Sequence, residues 1–197
     1  MNNVHLFELL NASPRLDPVS LLMATVVAQW VIYLVGLVLA VAWVRGDHGS
    51  RGELLHMLTA TLIGLVLAEA ISHTWPQPRP LALHLGTQFL AHGNDAGLPS
   101  DHATALWALA VAALGTQRFA VWGLPLLALG LVVGLSRVYL GVHFPFDIVA
   151  ALPVAVAGAA AAHALRRPLR PAFERILELY DRIARAVRAH LHRSDRA

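Results

Sequence analysis

Five apolar stretches, each close to the length that crosses a lipid bilayer, constrain this chain more than any other feature of its sequence. They cover residues 20–44, 54–71, 103–117, 119–139 and 148–165, and a transmembrane helix needs roughly 17 to 25 apolar residues. The third stretch is the shortest and is completed by flanking residues at the membrane interface. Only 14% of the 197 residues are charged, against about 25% in a typical soluble domain. The sequence therefore predicts an all-α fold, a polytopic transmembrane helix bundle with about five full spans.

Both ends of the chain depart from the pattern of apolar spans. Residues 1–10 are too short to cross the membrane, so we expect an N-terminal helix that lies on the surface or enters partway. After residue 165 the chain is basic, with apolar residues at helical spacing, which predicts a C-terminal amphipathic helix. The apolar positions are Phe173, Ile176, Tyr180, Ile183, Val187 and Leu191.

The amphipathic tail is expected to pack on the inner membrane surface or against a partner helix. A nucleic-acid-binding arm is the alternative, but acidic residues interleave with the arginines of the tail and the apolar stripe is continuous. We therefore divide the chain into a membrane-embedded domain, residues 1–165, and a basic amphipathic cytoplasmic tail, residues 166–197. The partners expected are the lipid bilayer and no nucleic acid, and the sequence does not specify an oligomeric state.

The arginines predict which ends of the spans face the cytoplasm, because basic residues near span ends are retained on that side. All 15 basic residues are arginine, and spans alternate sides, so twelve of them share one side. The other side holds only Arg15, Arg79 and Arg137. We expect that side to be the outer face of the membrane.

Three polar clusters interrupt the apolar pattern, and the predicted topology places all three at outer helix ends. The clusters are Trp75-Pro-Gln-Pro-Arg79-Pro80, Pro99-Ser100-Asp101-His102, and the segment from Ser136-Arg137 to His143-Phe-Pro-Phe-Asp147. Charged residues so close to hydrocarbon are energetically costly and usually mark a site. Single arginines or histidines at span ends often only reach toward lipid headgroups, but three clusters on one side favour a functional site.

The residue types in these clusters suit a phosphoryl group. Arg79 and Arg137 offer planar forks of donors that match phosphate oxygens. Ser100 stands where a helix N-cap is expected, so the N–H groups of the first turn point at an anion bound there. The chain has no cysteine and no lysine, which excludes a thiolate metal site and the lysine of a phosphate-binding loop.

Two histidines and one carboxylate complete a displacement mechanism that uses no metal or other cofactor. One neutral imidazole attacks phosphorus, the other protonates the departing oxygen, and the carboxylate fixes the tautomer of the attacking ring. His143 and Asp147, four residues apart at a predicted helix start, favour the pair of nucleophile and orienting group. His102 is then the general acid, although residue types alone leave the two histidines interchangeable.

The sequence resembles the type 2 phosphatidic acid phosphatase superfamily, whose signature is Lys-x6-Arg-Pro, then Pro-Ser-Gly-His, then Ser-Arg-x5-His-x3-Asp. The resemblance covers about residues 20–165, and the third element matches in full. In the second element Asp101 replaces glycine. This form of the motif is similar to that of the bacterial undecaprenyl pyrophosphate phosphatase branch. In the first element Ser72 stands in place of lysine, and the neighbouring His73 is a candidate substitute for the missing cation.

The resemblance implies a lipid phosphatase domain over residues 1–165 with assigned roles for the motif residues. It implies a phosphohistidine on His143, oriented by Asp147, and protonation of the leaving group by His102. Phosphate-binding residues would be Arg79, Ser100, Arg137, Asp101, Ser136 and, by substitution, His73. No metal is required. The expected reaction is hydrolysis of a polyprenyl pyrophosphate to the prenyl phosphate and inorganic phosphate.

Two other functions compete with this expectation. The motif reads only the phosphoryl group, so phosphatidylglycerol phosphate, phosphatidate or lipid A could be the substrate, and a lipid alcohol could replace water as acceptor. In a different class, a non-catalytic protein could bind or transport a polyprenyl phosphate. Such a protein would need the two arginines but not His102, His143 and Asp147 together.

Overall fold

The described part of the chain is a bundle of α-helices without a strand, which confirms the predicted all-α class. A computed structural model describes residues 2–91, 93 and 96–194, with side chains described as far as residue 187. Its helices are α1 (Asn3–Leu10), α2 (Pro18–Thr25), α3 (Val31–Arg45), α4 (His48–Thr74), α5 (Asp101–Leu114), α6 (Gly123–Tyr139) and α7 (Pro145–Ser194). A five-residue π-helix, Val26–Trp30, joins α2 to α3, and short 3₁₀ helices cover Leu81–Leu83 and Ala120–Trp122.

Four of the described helices are long and apolar enough to cross a membrane, so this is a multi-pass membrane protein. They cover Pro18–Arg45, His48–Thr74, Ala120–Tyr139 and Pro145–Val187. The third predicted stretch forms α5, which has 14 residues and ends at Leu114. At 1.5 Å per residue α5 is about 21 Å long, less than the roughly 30 Å of a bilayer core.

Helix α5 lies at the centre of the bundle, packed against α4, α6 and α7. Its small side chains allow close packing, since most of its alanines are fully buried together with Leu106. The side chain of Trp107 donates to the carbonyl of Leu127 in α6 at 2.9 Å. In contrast, the first span, Pro18–Arg45, lies at the periphery of the bundle and buries few residues. It exposes leucine, valine and aromatic side chains on most of its surface, as expected for lipid contact.

The N-terminal segment, predicted to lie on the surface or enter partway, packs against the bundle. Asn2 caps α1 by accepting the backbone N–H groups of Val4 and His5. Phe7 is fully buried, and its ring meets that of Phe144 edge to face with centroids 5.2 Å apart. Helix α1 therefore covers the segment that carries His143.

Helix α7 includes both the fifth predicted span and the predicted C-terminal helix. The apolar stretch ends at residue 165, but the helix continues without interruption to Ser194 and passes through Pro168 and Pro171. The tail is therefore helical as predicted, but it is an extension of the last span. Leu177 is buried in this extension. Leu191, the last predicted apolar position, lies outside the described side chains.

Arg51 joins this extension to the turn between α3 and α4. Its guanidinium donates to the carbonyl of Trp43 at 2.9 Å and to a carboxylate oxygen of Asp181 at 3.1 Å. It also lies over the ring of Tyr180, 4.4 Å from the centroid. Arg51 thereby satisfies a C-terminal carbonyl of α3 while it holds the tail.

Glu53 holds the turn between α5 and α6 at the same end of the bundle. Its carboxylate accepts the backbone N–H groups of Gln117 at 3.2 Å and Arg118 at 3.0 Å. The side chain of Arg118 also lies 3.6 Å from Asp47. These contacts place the two arginine-bearing turns and the basic tail at one end of the bundle, as the arginine distribution predicts.

Candidate active site

The second and third polar clusters of the sequence meet at the opposite end of the bundle, where α5 begins, α6 ends and α7 begins. The backbone N–H of Ser100 donates to the carbonyl of Asp147 at 3.1 Å. The N–H of Val142 donates to the carbonyl of Arg137 at 2.9 Å, which closes the turn after α6. Backbone hydrogen bonds thus fix the relative positions of the two motifs.

His143 and Asp147 form a buried pair at the start of α7. Nδ1 of His143 lies 3.3 Å from Oδ2 of Asp147, and the same oxygen accepts the backbone N–H of Phe144 at 2.8 Å. The two side chains are 2% and 3% exposed. Pro145 occupies the first turn of the helix, where its missing N–H costs nothing. The carboxylate therefore faces one ring nitrogen and leaves Nε2 of His143 as the other functional atom.

Arg79 reaches from the loop after α4 to the same pair. Its Nη1 donates to the carbonyl of Val142 at 3.2 Å and lies 3.4 Å and 3.3 Å from Nδ1 and Nε2 of His143. Its Nη2 donates to the carbonyl of Ala96 at 3.2 Å. Because this guanidinium is buried and adjacent to the imidazole, it is positioned to hold an anion beside the ring.

Arg137 occupies the other side of the site and contacts the π-helix of the first span. Its Nη1 donates to the carbonyl of Ala28 at 3.3 Å, and the side chain is 3% exposed. Together with His102, Arg137 lines a cavity of about 560 Å³ between the first span and the loop before α5. His102 therefore faces open space beside a buried guanidinium.

Ser100 and Thr104 place two buried hydroxyl groups one turn apart at the start of α5. Both side chains are fully buried, and neither hydroxyl oxygen has a hydrogen-bond partner among the described residues. Ser100 is the N-cap residue of α5, as its position predicted, and its side chain makes no capping hydrogen bond. A buried hydroxyl without a partner is energetically unfavourable.

The other predicted phosphate ligands are Asp101, Ser136 and His73. Asp101 is exposed in the first turn of α5. The hydroxyl of Ser136 donates to the carbonyl of Val132 within α6 at 2.8 Å. His73 pairs with Glu69 along α4 at 2.9 Å, with both side chains largely exposed, and no described contact joins His73 to the site. Roles for these three residues in phosphate binding stay predictions.

Several residues of the site have no counterpart among the predicted positions. The π-helix that supplies the Ala28 carbonyl has no pattern in the sequence that would reveal it. Gly97 lies close to both side chains, since a Cβ there would stand 3.1 Å from Oδ2 of Asp147 and 3.2 Å from Cγ of Arg79. Thr104 could have been found from its spacing, since it follows Ser100 by one helical turn.

Among the described residues, no group of three or more histidine or acidic side chains is arranged to hold a metal ion. The predicted independence of metals is a matter for experiment. What the described site does bring together is one imidazole with a carboxylate, a second imidazole, and two buried guanidinium groups. That combination is suited to covalent transfer of a phosphoryl group.

A helical membrane bundle with this site at one end is typical of one class of membrane phosphatases. Comparison with known families assigns the chain to the same class. The model of the PAP2 superfamily matches residues 53–171. The chain belongs to the PAP2 superfamily. This match confirms the resemblance to the type 2 phosphatidic acid phosphatases drawn from the motifs.

Curated relatives cover most of the chain. It is 34% identical over 157 residues to "Putative undecaprenyl-diphosphatase YbjG" of Escherichia coli (strain K12), covering 79% of this chain and 78% of that protein. It is 31% identical over 157 residues to undecaprenyl-diphosphatase BcrC of Bacillus subtilis (strain 168), covering 80% of each. Among solved structures, LpxE of Aquifex aeolicus shares the fold, with a TM-score of 0.67, 19% identity, and coverage of 82% of this chain and 94% of that one.

Proposed function

We propose that the protein hydrolyses undecaprenyl pyrophosphate to undecaprenyl phosphate and inorganic phosphate. The observation that carries this proposal is the buried pair of His143 and Asp147, with Nδ1 and Oδ2 3.3 Å apart and the guanidinium of Arg79 beside the ring. A neutral, oriented imidazole next to a fixed cation is what nucleophilic attack on a phosphorus atom needs. The names of the two relatives that cover about four fifths of the chain support the choice of substrate.

In the first step, Nε2 of His143 forms a bond to the terminal phosphorus while the bond from phosphorus to the bridging oxygen breaks. Asp147 holds the proton on Nδ1, so the Nε2 lone pair is available for attack. His102 donates a proton to the departing bridging oxygen, which leaves as prenyl phosphate. Arg79 and Arg137 stabilise the charge on the transferring oxygens.

In the second step, water attacks the phosphohistidine. The new bond joins the water oxygen to phosphorus, the bond from phosphorus to Nε2 breaks, and the neutral His102 accepts a proton from the water. Inorganic phosphate is released, and both histidines return to their starting protonation states. The proton that His102 gave to the leaving group is thereby recovered.

Leaving-group chemistry favours a pyrophosphate over a monoester. A departing prenyl phosphate is a much weaker base than a lipid alkoxide, so it needs less help from the acid His102. The lysine missing from the first motif also leaves two arginines to hold the headgroup. Such a site suits a good leaving group because less charge must be stabilised on the departing oxygen.

We place the site at the periplasmic face of the bacterial inner membrane. The arginine-rich turns and the basic tail lie at the end of the bundle opposite the site, and basic residues are retained in the cytoplasm. At the outer face the enzyme would return the carrier lipid used in peptidoglycan synthesis to its monophosphate form. A role in bacitracin resistance accords with this position, and a relative from Bacillus licheniformis is named bacitracin transport permease protein BcrC.

The decisive experiment measures phosphate release by the purified protein in detergent with EDTA present. The substrates are undecaprenyl pyrophosphate, phosphatidylglycerol phosphate and phosphatidate at matched mole fractions. We expect a clearly higher kcat/KM for the pyrophosphate, and we expect His102→Ala to impair monoester hydrolysis more than pyrophosphate hydrolysis. Equal turnover of monoesters, with equal losses in the variant, would point to another lipid phosphatase activity. Absence of turnover with every substrate would favour a binding or transport function.

A further inference from the structure

Two separate openings are lined by residues of the candidate active site. The first is the cavity of about 560 Å³ that His102 and Arg137 line together with Gln29, Trp30 and Tyr33 of the first span; we name it the His102 cavity. The second is an apolar groove of about 700 Å³ whose lining includes Trp75, Phe146, Asp147 and Leu152; we name it the Asp147 groove.

The chemistry of the proposed reaction distinguishes the two openings. In an in-line displacement the leaving oxygen departs on the side of phosphorus opposite the nucleophile. The acid that protonates this oxygen must lie within hydrogen-bonding reach of it. His102 lines the His102 cavity, whereas the Asp147 groove presents a carboxylate that would repel an anionic leaving group.

We propose that the His102 cavity binds the leaving half of the substrate, the prenyl phosphate, and that the first isoprene units exit past Trp30 and Tyr33 along α3. In this arrangement the side-chain amide of Gln29 donates to the phosphate that leaves. The proposal rests on the hydrolysis proposed above and adds to it the path of the lipid chain. It also assigns Gln29 a role in distinguishing a pyrophosphate from a monoester, which has no second phosphate.

The π-helix of the first span shapes this cavity. One extra residue per turn shifts the register of the helix face and is a feature often found at functional sites. Within Val26–Trp30, the carbonyl of Ala28 accepts a hydrogen bond from Arg137, and the next residue, Gln29, lines the cavity. The same local distortion therefore anchors a phosphate-binding arginine and positions an amide beside it.

An apolar path continues from the cavity along the membrane-facing surface of α3. The rings of Trp30 and Tyr33 lie 5.9 Å apart, and both are more than half exposed. Tyr33, Leu37 and Val41 follow one another at four-residue spacing, so they share one helix face, and all three are exposed. This stripe is about 16 Å long from Trp30 to Val41, enough to contact several isoprene units.

The test compares two tryptophans that differ in location but little in exposure. Trp30 in the His102 cavity is 61% exposed and Trp75 in the Asp147 groove is 66% exposed. For each purified variant, Trp30→Ala and Trp75→Ala, the ratio of kcat/KM for farnesyl pyrophosphate to that for dimethylallyl pyrophosphate is measured. The five-carbon chain is too short to follow α3, so the ratio reports contacts with the longer chain.

We expect Trp30→Ala to lower this ratio by about fivefold or more, because apolar contact with the longer chain is lost, and Trp75→Ala to leave it within about twofold. The opposite pattern would show that the prenyl chain lies in the Asp147 groove, which would overturn the proposal. No change in either variant would mean that Trp30 only belongs to the interfacial aromatic residues of the membrane, which also overturns it. Failure of the wild type to cleave any prenyl pyrophosphate is the separate result that rejects the hydrolysis itself.

The proposed contact of Gln29 is tested by comparing two substrates. Gln29→Leu is expected to lower kcat/KM for undecaprenyl pyrophosphate while phosphatidate hydrolysis changes little, because only the pyrophosphate has a second phosphate to receive the amide hydrogen bond. Equal losses on both substrates would exclude that contact.

A binding measurement covers the case in which a variant loses activity through misfolding. The chain has no cysteine, so Trp30→Cys and Trp75→Cys each introduce a single thiol for labelling with a maleimide. A prenyl methylenediphosphonate, which cannot be hydrolysed at the bridging position, should slow labelling at position 30 and not at position 75. Protection at position 75 alone would contradict the assigned path.

Discussion

Gly158 of α7 crosses Gly64 of α4 with no side chain between the two helices. A Cβ on Gly158 would stand 2.7 Å from both Cα and N of Gly64 and 2.9 Å from the carbonyl oxygen of Ala60. All three are backbone atoms, so neither helix can relieve the contact by a rotamer change. The close approach fixes the distance between α4, which leads to Arg79, and α7, which carries Asp147.

Gly158→Ala should therefore destabilise the protein. We expect a loss of about 1–3 kcal/mol in the free energy of unfolding, as for overpacking elsewhere in protein cores. Thermal unfolding in detergent, followed by tryptophan fluorescence, would show a lower midpoint. Gly36→Ala is the matched control, since a Cβ at Gly36 meets nothing within 4 Å, and a helical alanine should be neutral or stabilise by about 0.5–1 kcal/mol. Equal midpoints for the two variants would contradict the close crossing.

His143→Ala should abolish turnover and the covalent intermediate. Acid-labile, base-stable label from substrate carrying radioactive terminal phosphate is expected on the wild-type protein after a rapid quench and is expected to be absent from the variant. His84→Asn serves as the control, because His84 is exposed and has a φ of 56°, a conformation that asparagine tolerates. Label retained on the His143 variant would assign the nucleophile to another residue.

Asp147→Asn should retain the architecture but lose the orientation of the imidazole. We expect kcat to fall by up to about 10⁴-fold, the loss seen when the carboxylate that orients a catalytic histidine is replaced by an amide. The predicted rank is that His143→Ala loses more activity than Asp147→Asn in the same assay. Single-turnover measurements would show slower formation of the phosphoenzyme, and an unchanged rate would exclude an orienting role for the carboxylate.

The orientation of the bundle can be tested with a second pair of matched substitutions. Ala82 and Ala172 are both exposed and lie near opposite ends of the bundle, and the chain has no cysteine of its own. In intact spheroplasts, a membrane-impermeant maleimide should label Ala82→Cys and not Ala172→Cys. Both should react after the membrane is permeabilised. The reverse pattern in intact cells would place the active site in the cytoplasm.

Arg51→Lys should loosen the tail because lysine cannot reproduce the planar fork of donors. Loss of charged hydrogen bonds to Trp43 and Asp181 is expected to lower the free energy of unfolding by about 1–3 kcal/mol, together with faster proteolysis after residue 165. Arg170→Lys is the control, since Arg170 is 80% exposed and lies 3.8 Å from Glu174, a geometry of little energetic value. Equal protease sensitivity of the two variants would contradict a docked tail.

The motif residues and the helical class could be predicted from sequence because both depend on local patterns. Apolar length identifies spans, and the spacing of His143 and Asp147 identifies a pair on one helical turn. The structure agrees with that spacing and with the grouping of arginine-bearing turns at one end. These predictions needed no knowledge of how the helices pack.

Features that depend on packing could not be predicted in this way. Hydropathy measures polarity and not helix continuity, so the sequence predicts a helix in the tail but not that this helix continues from the last span through Pro168 and Pro171. The burial of Arg51 depends on the distant Tyr180 and Asp181. Likewise, the bond from Arg137 to Ala28 joins residues 109 positions apart, and no local pattern reports such a pairing.

The two buried cations beside His143 and His102 are both guanidinium groups, and a guanidinium keeps its proton throughout the pH range in which proteins stay folded. Arg79 and Arg137 therefore present the same positive charge to a phosphate in acidic and in alkaline medium. Any bend in the dependence of rate on pH must then arise from the imidazoles, the Asp147 carboxylate or the substrate. A titration of kcat/KM would therefore contain no ionisation of Arg79 or Arg137, the two guanidinium groups that hold the phosphate.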